Sequence, residues 1–278
     1  MIHVWLKIDL LFKLTPYAKR EREVIIKKKK EEYYRKCGNS NGDIAQRMQE
    51  DPRRYSILDL MIELSSNGSG FTDEELRDEV TTIISAGSDT TAMAIGYVLI
   101  MLALHPQYQE KVYQEVMDVL GPDRTLEHTD LKHLAYTEMV LKETLRIYPA
   151  SPVIGRIAEE DIHLENCTIP ANSSFLIHIL EIHRNSEIFP DPLKFDPDRF
   201  LPEEIAKRHP CSWIPFVAGP RNCIGLNYAM MQMKSIMAYL IRRYKFKTPY
   251  KSIEDVEIRI DLLIKPVHGH LVSIEPRQ

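Results

Sequence analysis

What the chain lacks narrows its chemistry before any motif is considered. Its four cysteines, Cys37, Cys167, Cys211 and Cys223, show no C-x-x-C spacing, so neither a zinc ribbon nor a dense disulfide framework is expected. Strong net charge is missing as well. The balance is −4, which gives no reason to expect a nucleic-acid partner. Residues 1–14 hold no long apolar run, and so read as neither signal peptide nor membrane anchor. No internal repeat is present, the ten histidines are scattered, and His268-Gly269-His270 reads as a turn rather than a metal site. What remains is 278 residues, 44% hydrophobic and 27% charged, enough for a substantial buried interior in one large domain or two small ones.

Against this background residues 216–225, F-V-A-G-P-R-N-C-I-G, stand out. Gly219 and Pro220 make a tight turn, Arg221 supplies a rigid cationic fork, and Cys223 falls where an apolar helical pattern begins, from Ile224 to Ile241. The pattern puts the thiol at a helix N-terminus facing unpaired N–H groups. Those groups and the guanidinium favour the thiolate, the form that ligates iron. Gly225 lets a flat macrocycle come close to the backbone. An isolated cysteine in such a setting reads as a buried small hydrophobe beside a turn. Here F-x-x-G-x-R-x-C-x-G fixes five positions, and a chance match in a chain this long is on the order of one in ten thousand. The segment resembles the haem-thiolate signature of the cytochrome P-450 family. The resemblance implies haem b with Cys223 as its axial iron ligand, Arg221 paired with a haem propionate, Phe216 shielding the sulfur, and Gly219 and Gly225 completing the cofactor-binding loop.

Two further segments fit the same family. Glu143-Thr144-Leu145-Arg146 closes a helical pattern running from Asp130 to Ile147, and the three-residue spacing puts Glu143 and Arg146 on one face. Taken alone this is a solvated intrahelical ion pair. Downstream, however, F-D-P-D-R-F (195–200) resembles the family's second arginine segment, with Asp198 where glutamate is common. The resemblance makes Glu143, Arg146 and Arg199 a buried structural triad that locks the loop before the cysteine onto the core.

The third segment runs from Phe71 to Leu104, opened by the capping box Thr72-Asp73-Glu74-Glu75 after Gly70. By length and hydropathy Val80 to Leu104 could span a membrane. The polar cluster Gly87-Ser88-Asp89-Thr90-Thr91 at its middle instead favours a long central helix of a large core. Ala86 to Thr91 resembles the family's A-G-x-D-T-T oxygen-binding kink. On that resemblance Asp89 and Thr90 are the catalytic acid–alcohol pair that relays protons to bound oxygen. Thr90 by itself would read as an i−4 backbone bond.

Arg156, after Tyr148-Pro149, corresponds to a second propionate-binding arginine; a surface arginine at a strand edge is the other reading. The details are similar to the family-4 clan of animals, insect members in particular. Many of those carry glutamate just before the glycine of the oxygen motif and bind haem covalently through it. This chain has Ala86, which excludes covalent attachment by that route and removes the basis for rigid terminal-carbon selectivity.

The expected fold is mainly α with small β-sheets, the C-terminal portion of the cytochrome P-450 fold. Its parts are the long central helix, the E-x-x-R helix, a proline-rich meander, the cysteine loop and helix, and a closing β-hairpin. The chain is expected to be a single partial domain, with 1–70 the helical region before the long helix and 71–278 the haem-binding core. Residues 40–70 read as a polar linker with a short helix near Ile57 to Leu64, and a further helix is expected from Pro106 to Leu120. Strands are expected at 153–157, 162–164 and 175–180, and a coil with six prolines from Pro190 to Pro215. The closing hairpin would join Val256, Ile258 and Ile260 to residues 271–274. Lys27 to Lys30 read as a solvated helix face rather than an anionic-membrane patch.

Function follows from the resemblance. It implies a haem-thiolate monooxygenase that inserts one oxygen atom from O2 into an apolar lipid, terpenoid or xenobiotic. Electrons would come from NADPH through a reductase, with cytochrome b5 as a second donor, at the cytoplasmic face of the endoplasmic reticulum membrane. Lys207, Arg208, Arg242, Arg243 and Lys245 offer either a docking face for an acidic reductase or scattered surface charge. The resemblance covers only the C-terminal half of the family pattern, so weak haem retention is expected. A truncated, non-catalytic product is the alternative.

Overall fold

A computed structural model of the chain describes residues 24–33, 35, 56–66 and 71–277. The expectations for 1–23, for Cys37 and for 40–55, and the break at Gly70, lie outside the described residues. The described residues are mainly helical, with four two-stranded antiparallel sheets among them. The described residues group into two compact units, one up to Ser88 and the other from Asp89 onward. The long helix Asp73–Leu104 contributes to both.

In the smaller unit, the helices at 24–33 and Ile57–Ser66 and the first turns of the long helix bury Ile26, Met61, Ile62, Leu76 and Val80. The capping box forms at the entry to the long helix. Thr72 N–H donates to Glu75 Oε2 at 2.8 Å, and Glu75 N–H donates back to Thr72 Oγ1 at 3.2 Å. Lys29 lies 3.4 Å from Glu32 and 3.7 Å from Asp59, and Lys30 pairs with Asp73. Lys29 and Lys30, half of the lysine run, therefore face acids of their own unit.

In the larger unit the core is a helical bundle. The second half of the long helix brings Tyr97, Val98, Ile100, Met101 and Leu102, each no more than 1% exposed. Against it pack Val112, Val116 and Leu120 from helix Pro106–Leu120, Val140, Leu141 and Leu145 from helix Ala135–Ile147, and Met233, Met237 and Ile241 from helix Leu226–Arg243. Their four-residue spacings are the apolar stripes such helices bury. The long helix has the length and composition of a membrane span, yet more than half of its apolar window is buried in protein. Gly96 admits an intruder here. A Cβ at this position would lie 2.3 Å from the His270 ring, which packs edge-on against Tyr97. Gly96→Ala would ordinarily strengthen a helix by about 1 kcal/mol. Here it is expected to destabilise by about 1–3 kcal/mol, the cost of overpacking, measurable as a lowered urea midpoint.

Several expectations need correcting. The pattern from Asp130 to Ile147 is two elements, a 3₁₀ helix His128–His133 and the α-helix Ala135–Ile147, parted at Leu134 with φ −86° and ψ 63°. The break is held from a distance, because the Glu115 carboxylate takes the N–H groups of Tyr136 and Thr137 at 2.6 and 2.8 Å. The strand expected to reach residue 180 is Ser174–His178, and Ile179–Arg184 turns helical. The strand at 162–164 is the two-residue Ile162–His163, paired with Thr168–Ile169. The closing hairpin joins other partners: Ile258–Ile260 pairs with Ile264–Pro266, while Ser273–Pro276 pairs with Tyr244–Lys247. Residues 153–157 form their strand as expected, with Ile157 opposite Ser174. The proline-rich stretch has no regular element longer than four residues.

Candidate functional site

The cysteine loop is shaped by its own backbone. Val217 N–H donates to Ile214 O at 2.9 Å, Asn222 N–H to Gly219 O at 3.1 Å, and Cys223 N–H to Phe216 O at 2.9 Å. Gly219 takes φ 83° and Val217 φ 64°. Glycine does so without steric cost, whereas a β-branched valine is strained there. The helix begins later than the apolar pattern suggested, at Leu226 with Gly225 as its N-cap. Cys223 is thus in the turn ahead of the helix, where its carbonyl accepts the Leu226 N–H at 3.4 Å. Its thiol is free and exposed. Arg221 is exposed and Phe216 is half-buried against the core. Beside the loop, Ile224 and Tyr228 expose 83% and 66% of their surface. A Cβ on Gly225 would stand 3.8 Å from the Cys223 sulfur, the nearest atom it would meet.

Glu143, Arg146 and Arg199 come together. Arg146 grips Glu143 through Nε–Oε2 at 2.7 Å and Nη2–Oε1 at 2.8 Å, with both side chains 0% exposed, and Arg199 Nε lies 3.5 Å from Glu143 Oε1. The Asp196 N–H also donates to Glu143, at 3.0 Å. Arg199 Nη2 donates to the carbonyls of Pro190 and Asp191 at 2.6 and 3.1 Å, tying the meander to the pair. Burial pushes the Glu143 carboxyl up, against the downward pull of Arg146, the Asp196 N–H and Arg199. A cleft of about 650 Å³ opens beside Arg199, lined also by Asp196, Asp198 and Arg208.

The other candidates are more dispersed. Asp89 and Thr90 are half-buried on an unbroken helix, and Gly87 has open space where a Cβ would point. Arg156 is half-buried on its strand and donates to the Gly155 carbonyl at 2.8 Å. Among the described residues, no hydrogen bond or ion pair joins Asp89 or Arg156 to the cysteine loop. The supposed basic face is partly taken inside. Arg242 is buried and donates to the carbonyls of Gly121 and Arg124 at 3.3 and 2.8 Å, while Arg208 donates to Arg199 O at 2.6 Å and stacks near Phe189 and Phe200. Arg243 and Lys245 stay exposed, and Lys207 is exposed beside Glu204 at 2.6 Å.

Two residues that sequence reasoning passed over hold the stem of the cysteine loop. Trp213 Nε1 donates to Lys142 O at 3.1 Å, and the fully buried His183 accepts the Ile214 N–H at Nε2, at 2.9 Å. No local signal marks either, since each partner is far away in the chain.

Burial, with the Arg146 charge adding to it, lowers the His183 pKa to about 3, and burial lowers that of His270 to about 4. Both are neutral in the folded state, whereas in the unfolded chain they take up protons near the ordinary value of about 6.5. Their stabilising contribution is complete above that value and is lost as pH falls toward 4 and 3. At pH 5 the loss is roughly 2 kcal/mol apiece. Thermal melts from pH 7.5 to 5 should show it, and His270→Gln should remove its share of the slope.

The cytochrome P450 family model matches residues 1–272. Cytochrome P450 4c3 of Drosophila melanogaster is 38% identical, over 81% of this chain and 42% of that protein. Cytochrome P450 4c21 of Blattella germanica is 36% identical, over 97% of this chain and 55% of its own length. Cytochrome P450 4V2 of Rattus norvegicus is 37% identical, over 81% and 43%. The chain thus spans about half the length of the curated relatives it matches.

Proposed function

The chain belongs to the cytochrome P450 family, and from that membership we propose that it serves a haem-thiolate monooxygenase, with Cys223 as the iron ligand. The observation that carries this reading is the exposed thiol on a loop whose backbone bonds and positive-φ residues aim a single side chain. The residues present fit haem. A free sulfur, the exposed guanidinium of Arg221, the Phe216 ring and the bare apolar surface of Ile224 and Tyr228 suit a flat apolar ring with anionic edges. Cys223 would hold the iron, Arg221 and Arg156 the propionates, and Phe216 would keep water from the sulfur. Gly219 and Gly225 keep that loop slim. Bound haem supplies the redox metal at which O2 is activated for insertion into an organic substrate.

The protein's own groups then do positional and proton work. Asp89 takes a proton at its carboxylate, and Thr90 Oγ1, next along the helix, hands one on toward the oxygen site. Glu143, Arg146 and Arg199 fix the meander and so the cysteine loop. Residues 71–278 would carry this core, with 1–70 as the helical region before it. The substrate is taken to be an apolar lipid, terpenoid or xenobiotic, held without covalent haem attachment through Ala86. Electrons would come from NADPH through a flavoprotein reductase, or from cytochrome b5, docking on exposed cations such as Arg243 and Lys245 at the endoplasmic reticulum membrane. Nothing among the relatives favours a non-catalytic product. The test is the absorption spectrum of the protein expressed with haem, reduced and exposed to carbon monoxide. A strongly red-shifted Soret band is expected, and stable haem binding without that band would sink thiolate ligation.

A further inference from the structure

We propose that His183 is a positioning residue for Cys223: held through its backbone carbonyl by the buried Glu143–Arg146 pair, it grips the stem of the cysteine loop with its imidazole, so that the thiol is presented in one orientation. The inference rests on the reading of Cys223 as the haem ligand. The tie is a continuous run of ordinary hydrogen bonds. Arg146, held by Glu143, donates from Nη1 to the His183 carbonyl at 2.9 Å. His183 Nε2 accepts the Ile214 N–H at 2.9 Å, Ile214 O accepts the Val217 N–H at 2.9 Å, and Phe216 O accepts the Cys223 N–H at 2.9 Å. Pro215 alone stands between the anchored Ile214 and Phe216, and its fixed φ leaves little slack. A shift of Ile214 therefore passes to the residue that holds the cysteine backbone.

An outside hold is needed because the turn is strained. Val217 at φ 64° persists only where surrounding structure enforces it. Among the described residues, two side-chain bonds grip this stem, Trp213 Nε1 on Lys142 O and Ile214 N–H on His183 Nε2. Because Nε2 accepts, the ring proton is on Nδ1. Burial and the nearby Arg146 cation keep that acceptor open over the physiological pH range. Loss of the acceptor would leave a partly buried N–H without its partner just ahead of the strained turn.

The experiment compares His183→Leu, which removes the acceptor, with His183→Gln, whose Oε1 reaches the place of Nε2. In the haem-free protein, amide exchange at Ile214, Val217 and Cys223 should quicken roughly tenfold in His183→Leu, as for one lost buried hydrogen bond. The amides of helix Ala135–Ile147 should keep wild-type protection, and His183→Gln should restore the loop. At equal haem loading, the carbon monoxide complex of His183→Leu should lose most of the red-shifted band, and Gln should recover it. Wild-type loop protection and a wild-type band in His183→Leu would overturn the proposal. So would protection lost evenly across the helices, which marks mere destabilisation. If the leucine variant does not fold, Gln against the shorter His183→Asn carries the same contrast. A wild-type protein without the band would defeat the haem-thiolate reading instead, and the haem-free exchange would still decide the role of His183.

Discussion

Glu143→Gln is expected to cost the larger unit about 3–5 kcal/mol, a loss comparable with the whole stability of many domains. The Arg146 guanidinium is 0% exposed, and among the described residues its two bonds to Glu143, at 2.7 and 2.8 Å, are its only anionic contacts. Glutamine leaves that charge buried without a counter-ion and points an NH2 group at a donor. The Asp196 N–H and the His183 carbonyl depend on the same pair, so the meander and the cysteine stem loosen with it. Urea unfolding should show the midpoint drop, with little folded protein left at 37 °C. The exposed pair Lys247–Glu275, at 2.7 Å, provides the contrast. Glu275→Gln should change stability by less than about 0.5 kcal/mol. If Glu143→Gln were equally mild, the triad would be a surface-grade ion pair and its structural role would fall.

Cys223→Ala should do the opposite, leaving the fold and removing the chemistry. The thiol is exposed and its carbonyl and N–H bonds belong to the backbone, so melting should move by less than about 1 kcal/mol. The red-shifted carbon monoxide band should vanish completely, because no other described cysteine lies in such a loop. Cys167→Ala and Cys211→Ala, at two other exposed thiols, should keep it. Survival of the band in Cys223→Ala would move the ligand to another residue.

The parts legible in the sequence are those written in adjacent residues. Pro106 at a helix start, Gly121 at its end and the Thr72–Glu75 box fix their boundaries locally, and the observed helices match them. Helix Ala135–Ile147 was only half legible, because its first N–H groups are capped by Glu115, some twenty residues away. Alternation at Val256, Ile258 and Ile260 marks an extended face but not the partner strand, and the pairing inferred from it was wrong. At the candidate site, the motif singled out Cys223, Arg221 and Phe216 as candidates, and the spacing gave the Glu143–Arg146 pair. His183 stayed hidden because an acceptor role thirty-one residues from its donor leaves no periodicity to read. Arg242 was misjudged for the same reason, since its carbonyl partners, Gly121 and Arg124, come from the turn that follows another helix.

Trp213 turns this architecture into an optical instrument. The sequence has only two tryptophans, Trp5 and Trp213, and the second has its indole N–H fastened to Lys142 O at the foot of the cysteine loop. In a Trp5→Phe background its emission would come from that one place. Movement of the stem, arrival of an absorbing ring at Cys223 and release of the loop during unfolding would each alter the same fluorescence signal. The cysteine loop can thus be followed in real time without attaching a dye to it.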